Sequence, residues 1–112
     1  MIPKELIAAS TRPLVLSVLA RGEDYGYAII QRVRKLSGGE LEWSEGMLYP
    51  VLHRLEKEGL IQSNWRVGDS GRRRKYYRLT RNGGKALQTE KSQWMAVHKT
   101  LTKSWRAQIC PS

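Results

Sequence analysis

The chain has 112 residues, enough for one small domain with a single hydrophobic core and too few for a second one, so a deep enzyme cleft is not expected. Its 20 Lys+Arg against 10 Asp+Glu leave a net charge of +10, which favours an anionic partner such as DNA, RNA or an acidic membrane face. The longest apolar run, Leu14 to Ala20, is far too short to span a bilayer, and the start, Met1 to Glu5, has no cationic cluster. No export signal or anchor is expected, and the setting is read as cytoplasmic. The lone Cys110 has no intrachain disulfide partner, and His53 and His98 have no cysteine pairs near them, so neither a metal nor a cofactor is expected. No nucleophile motif, paired carboxylates or glycine-rich phosphate loop is present, which argues against an enzyme.

Leu6, Ile7, Leu14, Val15, Val18 and Leu19 recur near helical spacing, predicting a first helix from about Lys4 to Ala20 that Arg21-Gly22 stops. Pro13 lies inside it and predicts a kink or a break. Tyr25-Gly26-Tyr27 opens a second helix with Ala28, Ile29, Ile30, Val33 and Leu36 on its apolar side and Arg32, Arg34 and Lys35 opposite, ending at Ser37-Gly38-Gly39. Glu40 to Trp43 is read as extended. Ser44 is then a good N-cap for a third helix to about Glu58, with Glu45 placed to favour the helix dipole and Leu48, Val51, Leu52 and Leu55 as its apolar stripe. Pro50 should bend this helix or loosen its first turns.

Strands are predicted at Leu60 to Val67 and Lys75 to Thr80, joined by a turn over Gly68 to Arg72. Arg72, Arg73, Arg74 and Lys75 are four consecutive cations at the tip of this hairpin, where phosphate charge would relieve their mutual repulsion. Tyr76 and Tyr77 alternate across the strand, so one packs inward and the other faces out. A last helix begins at Thr80 or Asn82. Leu87, Trp94 and Leu101 recur every seven residues along it, with Val97 and Trp105 widening the seam. So small a protein has little core left for that stripe, which points to a second subunit. Three helices, a cationic hairpin and a terminal helix together make a mainly α chain with a small β-wing: a winged helix-turn-helix over 1–80 and a dimerisation helix and tail over 81–112, one compact domain in all.

The run from Gly46 to Ile61, the run from Gly71 to Thr80, and Tyr25-Gly26-Tyr27 with the Leu14 to Leu19 segment resemble the PadR family of bacterial transcriptional regulators over nearly the whole chain. The resemblance implies a winged helix-turn-helix with a C-terminal dimerisation helix. The single terminal helix looks like the small subfamily that includes the multidrug-sensing LmrR-type repressors. Met47 departs from the pattern, since the family commonly has threonine there. By the same resemblance Trp94 matches the tryptophan that faces its symmetry mate and sandwiches flat aromatic drugs, with Val15, Val97 and Lys99 as candidate neighbours.

The expected contacts with double-stranded DNA are Ser44, Glu45, Tyr49 and His53 on the third helix, with Lys57 as a further candidate; Arg32 and Lys35 on the second helix; and Arg72, Arg73, Arg74 and Lys75 on the wing. Leu87, Trp94, Leu101 and Trp105 are the expected dimer contacts. The implied function is a homodimeric repressor released from its operator by a small aromatic ligand. Two alternatives stay open: a non-specific nucleoid-type DNA binder, and a drug-sensing or sequestering protein whose DNA contacts are secondary.

Overall fold

Helix α1 runs Lys4–Ala20 and continues unbroken through Pro13. The computed structural model describes the backbone through Ile109 and side chains through Ala107, so Cys110 lies outside the described residues. Next come a two-residue strand β1, Asp24–Tyr25, then α2, Gly26–Leu36, and α3, Glu45–Lys57. The hairpin β2, Ile61–Val67, and β3, Arg73–Leu79, leads into α4, Arg81–Ile109. Glu40 to Trp43, expected to be extended, belongs to no strand, and its last residue, Trp43, is buried in the core.

The local chemistry explains the element ends. Ser44 has extended backbone angles, and its Oγ accepts the Met47 amide at 3.2 Å, satisfying one of the free donors of the first turn of α3. Gly59, at φ 77°, ends the same helix in a left-handed turn. There the Gly59 amide donates to the Glu56 carbonyl and the Leu60 amide to the Leu55 carbonyl, both at 3.0 Å. Pro50 sits inside α3 on its exposed side without interrupting the helix.

Three helices meet in one core. Val15, Leu16, Val18 and Leu19 of α1 pack with Ile29, Ile30 and Val33 of α2 and Leu48, Leu52 and Leu55 of α3. Ile61, Tyr77 and Leu87 close it from the hairpin and α4. Each fully buried aliphatic side chain contributes about 1.5–3 kcal/mol, so this cluster outweighs any single surface contact described below.

The sheet is antiparallel in the order β1-β3-β2. Asp24 pairs with Tyr77 and Tyr25 with Tyr76, which anchors the start of α2 to the wing. The third strand was not visible in the sequence, because two residues carry no periodicity. Strand β3 also begins earlier than expected, at Arg73, so the turn keeps Arg72 while Arg73, Arg74 and Lys75 belong to the strand.

Among the described residues, the buried part of α4 is confined to its beginning. Gly83 and Leu87 are buried, whereas every residue from Lys91 to Leu101 is exposed. The molecule is accordingly long, with extents of 64 × 29 × 21 Å. Leu87, expected at a dimer contact, belongs to the chain's own core, because the first turns of α4 lie over α1 and β3.

Candidate nucleic-acid interface

Helix α3 and the wing converge on one open concavity of about 670 Å³, lined in part by Glu45, Tyr49 and His53 from α3 and by Arg72, Arg73, Arg74 and Lys75 from the wing. Strand alternation decides how the cations are shared out. Trp65 pairs with Lys75 and Ser63 with Tyr77, so Trp65, Arg73 and Lys75 share the sheet face that buries Tyr77. Arg74, Tyr76 and Arg78 take the other face.

Aromatic rings hold the guanidinium groups in place. Arg73 lies 4.9 Å above Trp65, Arg74 4.4 Å above Tyr25, and Arg66 4.7 Å above Tyr76. Tyr25 and Tyr76 meet edge to face at 5.4 Å. Stacking on a ring orients a guanidinium without using its N–H donors; Arg66 also pairs with Glu23, so Arg73 and Arg74 are the partly preorganised cations the wing offers to an anion. Lys75 has a weaker partner in Glu56, at 3.9 Å. Of the two tyrosines read as alternating, Tyr77 points inward and Tyr76 is half-buried on the outer face.

On α3, the Ser44 hydroxyl oxygen already serves the cap, leaving its proton as the group available to a ligand. Tyr49 is half-exposed, and its hydroxyl lies so close to Gly26 that a Cβ placed there would stand 2.6 Å from the oxygen. Only glycine lets α2 and this tyrosine approach so closely. Burial, aided by the nearby Glu45, raises the Tyr49 pKa, and burial pushes Tyr77 up to about 12. Both phenols are thus neutral hydrogen-bond donors at physiological pH. His53 and Lys57 are exposed along the same helix.

On α2, Arg32 forms an ion pair with Asp24 at 3.5 Å, which partly spends its charge, whereas Lys35 is exposed. Two exposed rings of the concavity, Tyr27 and Trp65, were missed by the sequence reading. The available signal was the tryptophan following Gln62, Ser63 and Asn64 in the strand, at a position sharing its face with wing cations.

A second concavity, of about 310 Å³, lies between α1 and α4 and is lined by Pro13, Leu14, Leu87, Lys91, Trp94 and Met95, with Ser10 and Ser17. Trp94 is 39% exposed on its rim. Val15 does not line it, as it is wholly buried in the core. Successive helix positions turn by about 100°, so Leu14 faces this groove where Val15 was expected. Val97 is exposed further out and is not part of the lining. Leu101 and Trp105 are exposed along the same helix.

Three core helices, the last of them capped by Ser44 and lying beside a cationic antiparallel wing, define a winged helix-turn-helix protein of the transcription-regulator class. Residues 15–89 match the transcriptional regulator PadR-like family, and the chain belongs to that family. A transcriptional regulator of Mycobacterium tuberculosis is 42% identical over 84 residues, 75% of each chain. A solved transcriptional regulator from Clostridium thermocellum superposes with a TM-score of 0.82 at 31% identity, over 92% of this chain and 97% of that one. A PadR family regulator from Clostridium difficile gives 0.75 at 34% identity, over 86% and 98%.

Proposed function

We propose that this regulator is a homodimeric repressor that reads a pseudo-palindromic operator in the cytoplasm and leaves it when a flat aromatic ligand binds beside Trp94. The observation that carries the DNA-reading part is the convergence of Tyr49 and His53 with Arg73 and Lys75 on one concavity. In the mechanism, Ser44, Glu45, Tyr49 and His53 enter the major groove and supply specificity. Arg72, Arg73, Arg74 and Lys75, with Lys35 and Arg32, meet phosphates and supply affinity. The winged head over 1–80 and the helix and tail over 81–112 divide these tasks: one contacts DNA and the other sets the spacing between two heads. Trp94, Leu101 and Trp105 supply the apolar stripe for the partner helix, since all three are exposed in the single chain. A ligand lowers DNA affinity only by favouring a different arrangement of the heads.

Sequencing the DNA retained by the purified protein, then comparing that site with a scrambled duplex at fixed salt, tests the reading. A preference of 10³ or more, typical of specific regulators, is expected. A ratio near one would favour a nucleoid-type binder.

Replacing Arg72 and Arg73 together by alanine should weaken binding to operator and scrambled DNA alike. If both meet phosphates, the slope of log affinity against log salt should fall in magnitude by about 1.8, because each lost contact removes about 0.9. An unchanged slope would show that the wing does not touch the backbone.

Trp94→Ala should abolish binding of planar cationic dyes while leaving the dimer and DNA affinity largely intact, as the indole face attracts both apolar area and positive charge. Equal dye affinity in both proteins, read by fluorescence titration, or no dye binding to either, would return Trp94 to a purely structural role.

A further inference from the structure

The end of α3 is tied to α4 at two levels. At the lower level the Thr80 hydroxyl donates to the Gly59 carbonyl at 2.7 Å and the Thr80 amide to the Leu60 carbonyl at 3.0 Å, while its Oγ1 accepts the Gly83 amide at 3.1 Å. At the upper level Arg12 of α1 bridges two carboxylates. Its Nη1 and Nη2 donate to the two oxygens of Glu58, the C-cap of α3, at 2.9 and 3.1 Å. Its Nε donates to Glu90 of α4 at 3.0 Å.

One attachment leaves a rod free to pivot, whereas a second, displaced along the rod, sets its direction. Residues 80–83 supply the first attachment, Leu87 packs the next turn onto the core, and Glu90 is the last hold before α4 becomes exposed, from Lys91. The same junction borders the groove beside Trp94. Pro13 and Leu14 follow Arg12 on α1, Lys91 follows Glu90 on α4, and Trp94 stands one turn further on.

We propose that Arg12 is a positioning residue for DNA reading: clamped between Glu58 and Glu90, its guanidinium sets the angle of α4 relative to the recognition helix α3. It touches no DNA. It controls whether two heads joined through α4 meet two half-sites in register, and so rests on the dimeric operator reading above. A planar guanidinium suits the task because it forks to one carboxylate while its Nε serves another; a lysine at this position offers one compact charge and cannot reproduce that geometry.

The test compares the full-length wild type with Arg12→Met, Arg12→Lys, Glu90→Gln and the reversal Arg12→Glu/Glu58→Arg/Glu90→Arg. Each is measured against the retained operator and a scrambled duplex at fixed salt, with thermal melting followed in parallel. Arg12→Met, which removes both arms, should lower the operator-to-scrambled ratio about tenfold, within the usual range of site-to-site coupling, at unchanged affinity for scrambled DNA; Glu90→Gln, which removes the charge of the α4 arm but keeps an acceptor for Nε, should lower it less. Arg12→Lys should stay low and the reversal should restore the ratio. An unchanged ratio in the Met and Gln variants, an equal loss on both duplexes, or a folded reversal variant that restores nothing overturns the proposal. A wild-type ratio near one overturns the operator reading and this proposal with it, whereas a high wild-type ratio kept by the variants overturns this proposal alone.

Discussion

Cutting the chain after Lys91 is expected to leave a folded single head that has lost most of its preference for the operator. The buried positions of α4, Gly83 and Leu87, lie before the cut, as does Glu90, so the head keeps its core and the Arg12 bridge. What is removed is the exposed stretch carrying Trp94, Met95, Val97, Leu101 and Trp105, which includes the residues proposed above to meet the partner helix. Two linked heads gain affinity because the second half-site is met intramolecularly. Losing that linkage should cost on the order of 10² to 10⁴ in operator affinity and far less on random DNA. Light scattering after size exclusion reads the mass, and titration against both duplexes reads the preference. A truncated protein that remains dimeric and binds its operator normally would remove α4 from the dimer interface.

Gly83→Ala should destabilise the protein although alanine favours a helix. An ideal Cβ at Gly83 would stand 2.0 Å from the Leu60 carbonyl oxygen and 2.7 Å from Leu79 Cδ1. The leucine can turn aside. The carbonyl cannot, because it accepts the Thr80 amide at 3.0 Å where β2 begins. Helix propensity alone would stabilise the alanine variant by about 1 kcal/mol, whereas forcing this contact should cost about 3 kcal/mol, so the sign of the change decides which effect wins. Gly84 provides the control. Nothing lies within 4 Å of a Cβ there, so Gly84→Ala should be neutral or stabilising by up to about 1 kcal/mol. Urea midpoints of both variants, at unchanged denaturant slope, give the two signs; a stabilising Gly83→Ala would mean that α4 and Leu60 are not in close contact.

Much of the architecture was legible because it rests on local chemistry. The span of α1, the Ser44 cap of α3 and the glycine end at Gly59 follow from apolar spacing and backbone preference within a few residues. The hairpin is legible for the same reason, and so is the cationic character of its wing. The motif runs from Gly46 to Ile61 and from Gly71 to Thr80 carried the family as well, and residues 15–89 match it.

The tertiary structure decided what depends on orientation and on residues far apart in the chain. Val15 and Leu14 are equally apolar neighbours, yet the packing of α1 sends one into the core and the other to the groove. The heptad reading grouped Leu87 with Trp94 and Leu101, but a helix that leaves the body partway along buries Leu87 and exposes Trp94 and Leu101. The cation run reads as one patch in sequence; strand alternation puts Arg73 and Lys75 on one sheet face and Arg74 on the other, yet Arg74, stacked on Tyr25, still borders the same concavity. Arg12 meets partners 46 and 78 residues away, and no local pattern marks such a bridge. Charge and periodicity thus determined which elements form and what kind of partner suits them. Only the assembled fold decided which side chains share a face, because that choice is made by packing between segments that are remote in the chain.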